Sequence, residues 1–259
     1  PSSPGVLPPR SLQALDRCQK QFPLSATPFA DMAALLGDGW TASELMQLLF
    51  TARQAGLLSR LGAVFAPNTV GSSTLAALAV HQGRLDPQQP VTAWLPELRA
   101  SAYGSASVRQ VMDMLIGLDY SEDYADPTAG IWDFSRAGGL LPRPEGYAGP
   151  RSYGEYLATL RQLGEHGTAF AYKTVNTQVL GWLLERLQGQ RLAEQISQQL
   201  WQPLGTAHDA SISLDATGAA FGGGGMNATV RDLARFGEMM RLRGRFNGQQ
   251  VLPEVVVAD

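Results

Sequence analysis

The chain has 259 residues, 44% of them hydrophobic and 17% charged, which is material for one large domain or two smaller ones with real cores. Twenty Lys and Arg stand against 23 Asp and Glu, for a net charge of −3, so no global field draws the chain toward nucleic acid or anionic lipid. Apolar runs stay short of the roughly 18 residues a membrane span needs, and one cysteine, Cys18, excludes a disulfide framework.

Residues 1–10, PSSPGVLPPR, are a Pro-rich lead and not a charged-then-apolar signal peptide, so a cytoplasmic location is the expectation. The chain begins without Met and ends at VLPEVVVAD, and it reads as a fragment. SLQALDRCQKQF places Leu12, Leu15, Cys18 and Phe22 at helical spacing. PFADMAALLG sets Pro28 at a helix start and Gly37 just past its end. TASELMQLLFTARQAG begins on a capping box, Thr41 with Glu44, carries Leu45, Leu48, Leu49 and Ala52 as a stripe, and stops at Gly56. LLSRLGAVF, broken by Arg60 and Gly62, suits a short hairpin or wing.

Three short helices and a wing are the parts of a winged helix-turn-helix unit over residues 11–73. The third helix offers Ser43, Gln47, Arg53 and Gln54 to solvent, too little positive charge for phosphate contacts, which argues for structural use over nucleic-acid binding. FPLSATPFADMAALLG and RLGAVFAPNTVGSSTLAALAV, with the helix between them, resemble the N-terminal part of the siroheme decarboxylases over residues 10–80. That family belongs to the Lrp/AsnC regulators and serves haem biosynthesis. Its catalytic histidine and arginine lie in a ferredoxin-like second half that has no counterpart in this sequence.

From Thr74 the chain continues as a helix closed by Gly83, a Pro-punctuated loop, and a helix starting near Ser107 that ends in the acidic loop DYSEDYADP. RSYGEYLATLRQLG is expected to be amphipathic helix, with Tyr156, Leu160 and Leu163 at helical spacing. A long helix then breaks at Gly189, and a second is stopped by Pro203 and Gly205. GRLDPQQPV, VRQVMDMLIGLDYSEDYADP, FAYKTVNTQVLGWLLERLQGQRLAEQISQQLWQPLG and GGGGMNATVRDLARFGEMM are similar, in order and spacing, to the serine β-lactamase and penicillin-binding-protein-like hydrolases. Within that superfamily they resemble 6-aminohexanoate-dimer hydrolases and related esterases most, over residues 74–259.

The resemblance implies an acyl-serine mechanism on small-molecule amides or esters, with no cofactor: a serine at a helix start, a lysine one turn later, and a relay tyrosine. Tyr172 and Asn176, in YKTVN, match the family's catalytic Tyr and Asn, and Tyr124 matches a loop tyrosine that contacts amide substrates. The Ser-x-x-Lys element is missing. Only Lys20 and Lys173 are present, and the residues three places before them are Arg17 and Phe170. Counting back from GRLD, the resemblance puts the nucleophile at about Ala66 and its lysine at about Thr69. Ser72 and Ser73 stand nearby, but a serine hydroxyl without a base is a weak nucleophile. The chain as written is therefore expected to be inactive.

Other residues carry plainer readings. His81, His166 and His208 are scattered singly, and no metal site is expected. Glu122 and Asp123 are expected in a solvated turn, and Gly222–Gly225 as flexible backbone near the site, ahead of a helix capped near Asn227 or Thr229. Arg231, Asp232, Arg235 and Glu238 are expected on a solvated helix face, Met239 and Met240 in a core, and Trp132, Phe134 and Tyr147 either lining a cleft or packed beneath a loop. The expected fold is mainly α with some β (α+β): a winged-helix-like unit, then an incomplete β-lactamase/transpeptidase-like region over 74–259. A split domain would expose apolar faces, which leaves marginal stability or oligomerisation open.

Overall fold

The computed structural model describes residues 8–21, 28–54 and 71–258. The chain divides into two compact units, Pro1–Val64 and Phe65–Asp259.

In the first unit, α1 (Pro9–Gln21), α2 (Pro28–Leu36) and α3 (Ala42–Gln54) pack on one another. Met32, Leu45 and Leu49 form a small core, with Leu15, Leu36 and Trp40 against it. The capping box forms as the sequence dictates: the Thr41 N–H donates to a Glu44 carboxylate oxygen at 2.9 Å, and the Glu44 N–H donates to Thr41 Oγ1 at 3.2 Å. Gly37, Asp38 and Gly39 all take left-handed φ in the α2–α3 turn, and Arg10 lies over the Trp40 ring at 4.4 Å. Leu12, expected on the apolar stripe, is 49% exposed, whereas Ala14 is buried. The wing expected at 57–65 lies outside the described residues.

The second unit is built around α8 (Thr174–Gln188). In chain order it contains α4 (Ser72–His81), α5 (Val108–Met112), α6 (Gly130–Ala137), α7 (Tyr153–Thr159), α8, α9 (Leu192–Ile196), α10 (Val230–Arg241) and α11 (Glu254–Ala258). α8 packs against α4, α5, α7 and α9, and a run from Thr174 to Leu184 is buried apart from the half-buried Trp182. That pattern marks a helix enclosed by its neighbours on most sides. It ends where Gly189 turns left-handed at φ 66°. Strands are few: β1 (Ser211–Ile212) pairs antiparallel with β2 (Met226–Asn227), and β3 (Arg245–Phe246) with β4 (Gln249–Gln250). The observed structure is thus largely helical.

Local signals set several boundaries. Ser107 and Gln110 form a reciprocal capping box on α5, and Thr229 caps α10 by accepting from the Asp232 N–H. One expectation fails. α7 stops at Thr159 because the next residues turn extended and bond elsewhere: Leu160 O accepts from Ala102 N, and Arg161 O from Asp119 N. Leu160 stays buried, but Leu163 is 65% exposed and belongs to no helical stripe. The segment containing Trp132 and Phe134 is α6, with Phe134 in the core against Tyr153 and Tyr156 and Trp132 half-buried. Tyr147 is held by its own turn, its hydroxyl donating to Pro150 O. Met239 is fully buried and Met240 packs partly buried against the same core.

Among the described residues no helix is long and apolar enough to cross a membrane, and no group of three His, Cys, Asp or Glu is placed to hold a metal ion.

Candidate active site

The site begins at the N-terminus of α8. A helix start leaves orphan N–H groups, and Lys173 at the cap position supplies no side-chain acceptor. The carboxylate of Glu122 does so instead, accepting the Thr174 N–H across 52 residues of sequence. It is well placed to do this, since a negative charge at a helix N-terminus also opposes the positive end of the dipole. Lys173 Nζ donates to Leu118 O at 2.7 Å, and Ala171 N donates to Met114 O at 3.0 Å. These ties lay the residues leading into α8 along the 114–122 segment.

Tyr172 is 38% exposed beside this junction, and Tyr124 is 64% exposed, edge-on to Trp132 with 5.7 Å between ring centroids. Burial, with the Glu122 carboxylate and Tyr124 nearby, holds the Tyr172 phenol above its ordinary range against a lowering hydrogen bond from Thr174. Burial and then Glu122 push Tyr124 in the same direction. Lys173 is pulled down by burial, with Asp119 and Glu122 opposing. A phenol in this setting donates a hydrogen bond and resists giving up its proton. Tyr124 and Tyr172 therefore share one neighbourhood, with Glu122 between them in effect.

Asn176 lies in the first turn of α8. It is fully buried, its Oδ1 accepting from the Tyr103 hydroxyl at 2.8 Å and its Nδ2 directed at Met114 Sδ at 3.4 Å. Both ends of the amide are thus engaged within the protein.

The glycine run is tightly held rather than flexible. Gly222 donates to Gln178 Oε1 at 2.8 Å and accepts from Ser72 Oγ at 2.9 Å, while Gln178 Nε2 donates to Ala220 O at 2.8 Å. A Cβ on Gly223 would lie 2.1 Å from Thr174 Cγ2, so only glycine lets this backbone approach the first turn of α8. Ser72 is thus fully buried with its hydroxyl committed, and the Ser73 hydroxyl is buried without a partner among the described residues. Ala66 and Thr69 lie outside the described residues.

Sequence reasoning missed three features. Glu122 was expected in a solvated turn but caps α8, and Lys173 is tied to Leu118. Asp232 was expected on a solvated face but is wholly buried. It accepts from Ala207 N, His208 N, Thr229 Oγ1 and Arg235, with His208 Nδ1 at 3.3 Å. The Ala207 N–H bond first, then Thr229, His208 and Arg235, hold its carboxyl well below the usual range despite burial. The one available signal was the Thr229–Asp232 capping pair, since Asp at the third helical position can cap reciprocally. A separate cavity of about 430 Å³ lies along α7, α8 and α9, lined by Trp182, Gln178, Glu185, Leu192 and Arg191 among others, and by none of Tyr124, Tyr172 or Asn176.

Comparison with known proteins places this arrangement in a family. The Beta-lactamase family profile matches residues 70–257, most of the chain, and the chain belongs to that family. It is 43% identical over 182 residues to the 6-aminohexanoate-dimer hydrolase of Paenarthrobacter ureafaciens, a match that covers 70% of this chain and 45% of that enzyme. A solved structure from Bacillus anthracis, provisionally assigned as a 6-aminohexanoate-dimer hydrolase, superposes with a TM-score of 0.69 at 28% identity, covering 75% of this chain and 51% of that one. The N-terminal part is similar to a siroheme decarboxylase subunit of Paracoccus denitrificans, 47% identical over 75 residues, which is 29% of this chain and 22% of that subunit. The chain thus spans about half the length of the hydrolases it matches and less of the decarboxylase subunit.

Proposed function

We propose that residues 74–259 carry the helical part of an acyl-serine hydrolase for amide or ester bonds of small molecules, and that the chain as written does not turn over. Tyr172 is the inherited relay phenol, Asn176 the inherited catalytic amide and Tyr124 the substrate-contacting phenol. The observation that carries this reading is a phenol presented at the head of α8 with no activating lysine. Ser-x-x-Lys occurs nowhere in the sequence, and the Lys173 ammonium donates to Leu118 O. Without a base, a serine hydroxyl attacks a carbonyl too slowly to count as catalysis.

On the same reading the protein is cytoplasmic, and its three N-terminal helices form a winged-helix-like unit used structurally rather than on DNA. The similarity of the N-terminal part to a siroheme decarboxylase subunit supports a second reading, a unit of AsnC type that once served tetrapyrrole chemistry.

The expected outcome with a chromogenic ester such as p-nitrophenyl acetate is hydrolysis at the buffer rate. Robust turnover that persists in Ser72→Ala and in Ser73→Ala would mean that the nucleophile is elsewhere and would overturn the reading.

A further inference from the structure

Glu122 joins three things that the sequence keeps far apart. It accepts the Thr174 N–H at the start of α8, it is half-buried in the loop that carries Tyr124, and its charge is felt by Tyr172, Tyr124 and Lys173. Lys173, the next residue after Tyr172, is anchored four residues upstream of Glu122, at Leu118 O. Two ties therefore fasten one short loop, which carries Tyr124, to one helix start, which follows Tyr172.

We propose that Glu122 is a positioning residue of the Tyr172 site: its carboxylate pins the Tyr124 loop to the first turn of α8 and sets a negative charge beside the Tyr172 phenol. The proposal rests on the reading that Tyr172 marks the site. The charged and titratable groups around Tyr172 are Glu122 and Tyr124 from the loop and Lys173 beside it, with Asp119 acting on Lys173. The negative charge of the Glu122 carboxylate disfavours a phenolate at Tyr172. The carboxylate also fills the anion position that a helix N-terminus offers. A ligand reaching this site meets a phenol O–H and an occupied anion position, which suits an uncharged carbonyl and not a carboxylate.

The test is a ¹³Cζ-tyrosine NMR titration of the full chain, whose seven tyrosines are few enough to resolve, with the Tyr172 signal identified by its loss in Tyr172→Phe. In Glu122→Gln, which keeps an acceptor but loses the charge, the Tyr172 midpoint falls by about half a pH unit or more. In Glu122→Ala the midpoint falls as well, and hydrogen exchange at the Thr174 amide accelerates by about tenfold. A Tyr172 midpoint unchanged in Glu122→Gln, or a Thr174 amide equally protected in Glu122→Ala, would overturn the proposal. Should the alanine variant fail to fold, the glutamine variant decides alone. None of these readouts requires turnover, so they separate a failure of this proposal from a failure of the hydrolase reading, which the ester assay reports.

Discussion

Asp232→Ala lowers the melting temperature of the full chain by about 10 °C, the largest single-residue effect expected outside the apolar core. The carboxylate is wholly buried and gathers the 207–208 backbone, the α10 cap Thr229 and Arg235 onto two oxygens. Truncation removes the shared acceptor of two backbone N–H groups, the Thr229 hydroxyl and a guanidinium, several bonds lost at once and all of them to an ionised group. The pH dependence has a definite sign. Asp232 is held below its unfolded value, so its contribution is fully present above roughly pH 4 and is lost as pH falls through the folded value. Thermal melts at pH 7 and pH 3 should therefore show a smaller gap between native chain and Asp232→Ala in acid. A gap that is absent at neutral pH would place Asp232 on the solvated face that the sequence suggested.

Asn176→Ala destabilises the chain by about 2–4 kcal/mol, from a cavity in the core and a Tyr103 hydroxyl left without its acceptor. Urea denaturation measures the loss. Tyr103→Phe removes the other half of the same contact, and a double-mutant cycle should return a coupling of about 1 kcal/mol or more, since the two side chains share one bond. Losses that simply add would mean that the bond between them contributes little. The outcome bears on the site because Asn176 stands one helical turn after Tyr172, in the first turns of α8. A change there bears on the helix start that follows the phenol.

Much of the fold was legible where one short stretch of chain decides the outcome. The Thr41–Glu44 box, the helix start near Ser107, the cap near Thr229 and the helix end at Gly189 each follow from residue type at fixed spacing, and each is found. Legibility failed where distant segments compete for a backbone. Leu160 and Leu163 keep helical spacing, yet α7 ends because 160–162 bonds to residues near 102 and 118 instead. Periodicity cannot register that competition.

The same limit governs the site. YKTVN announced Tyr172 and Asn176 together, but Asn176 lies inside α8 and is buried, whereas Tyr172 precedes the helix cap and stays partly exposed. Glu122, charged and flanked by Ser121 and Asp123, looks like any solvated turn residue until the fold brings Thr174 to it. The glycine run looks flexible in isolation. Its partners Ser72 and Gln178 lie 150 and 44 residues away, and only contact between them fixes it.

That same contact makes the missing nucleophile the central claim. Ser72, one of two serines near the expected position, already gives its hydroxyl proton to Gly222 O, and no lysine stands three residues after any serine. The most direct measurement is intact-mass spectrometry of the full chain after prolonged exposure to a fluorophosphonate probe. An unchanged mass is the predicted result, whereas a stoichiometric adduct mapped to Ser72, Ser73 or any other serine would contradict it.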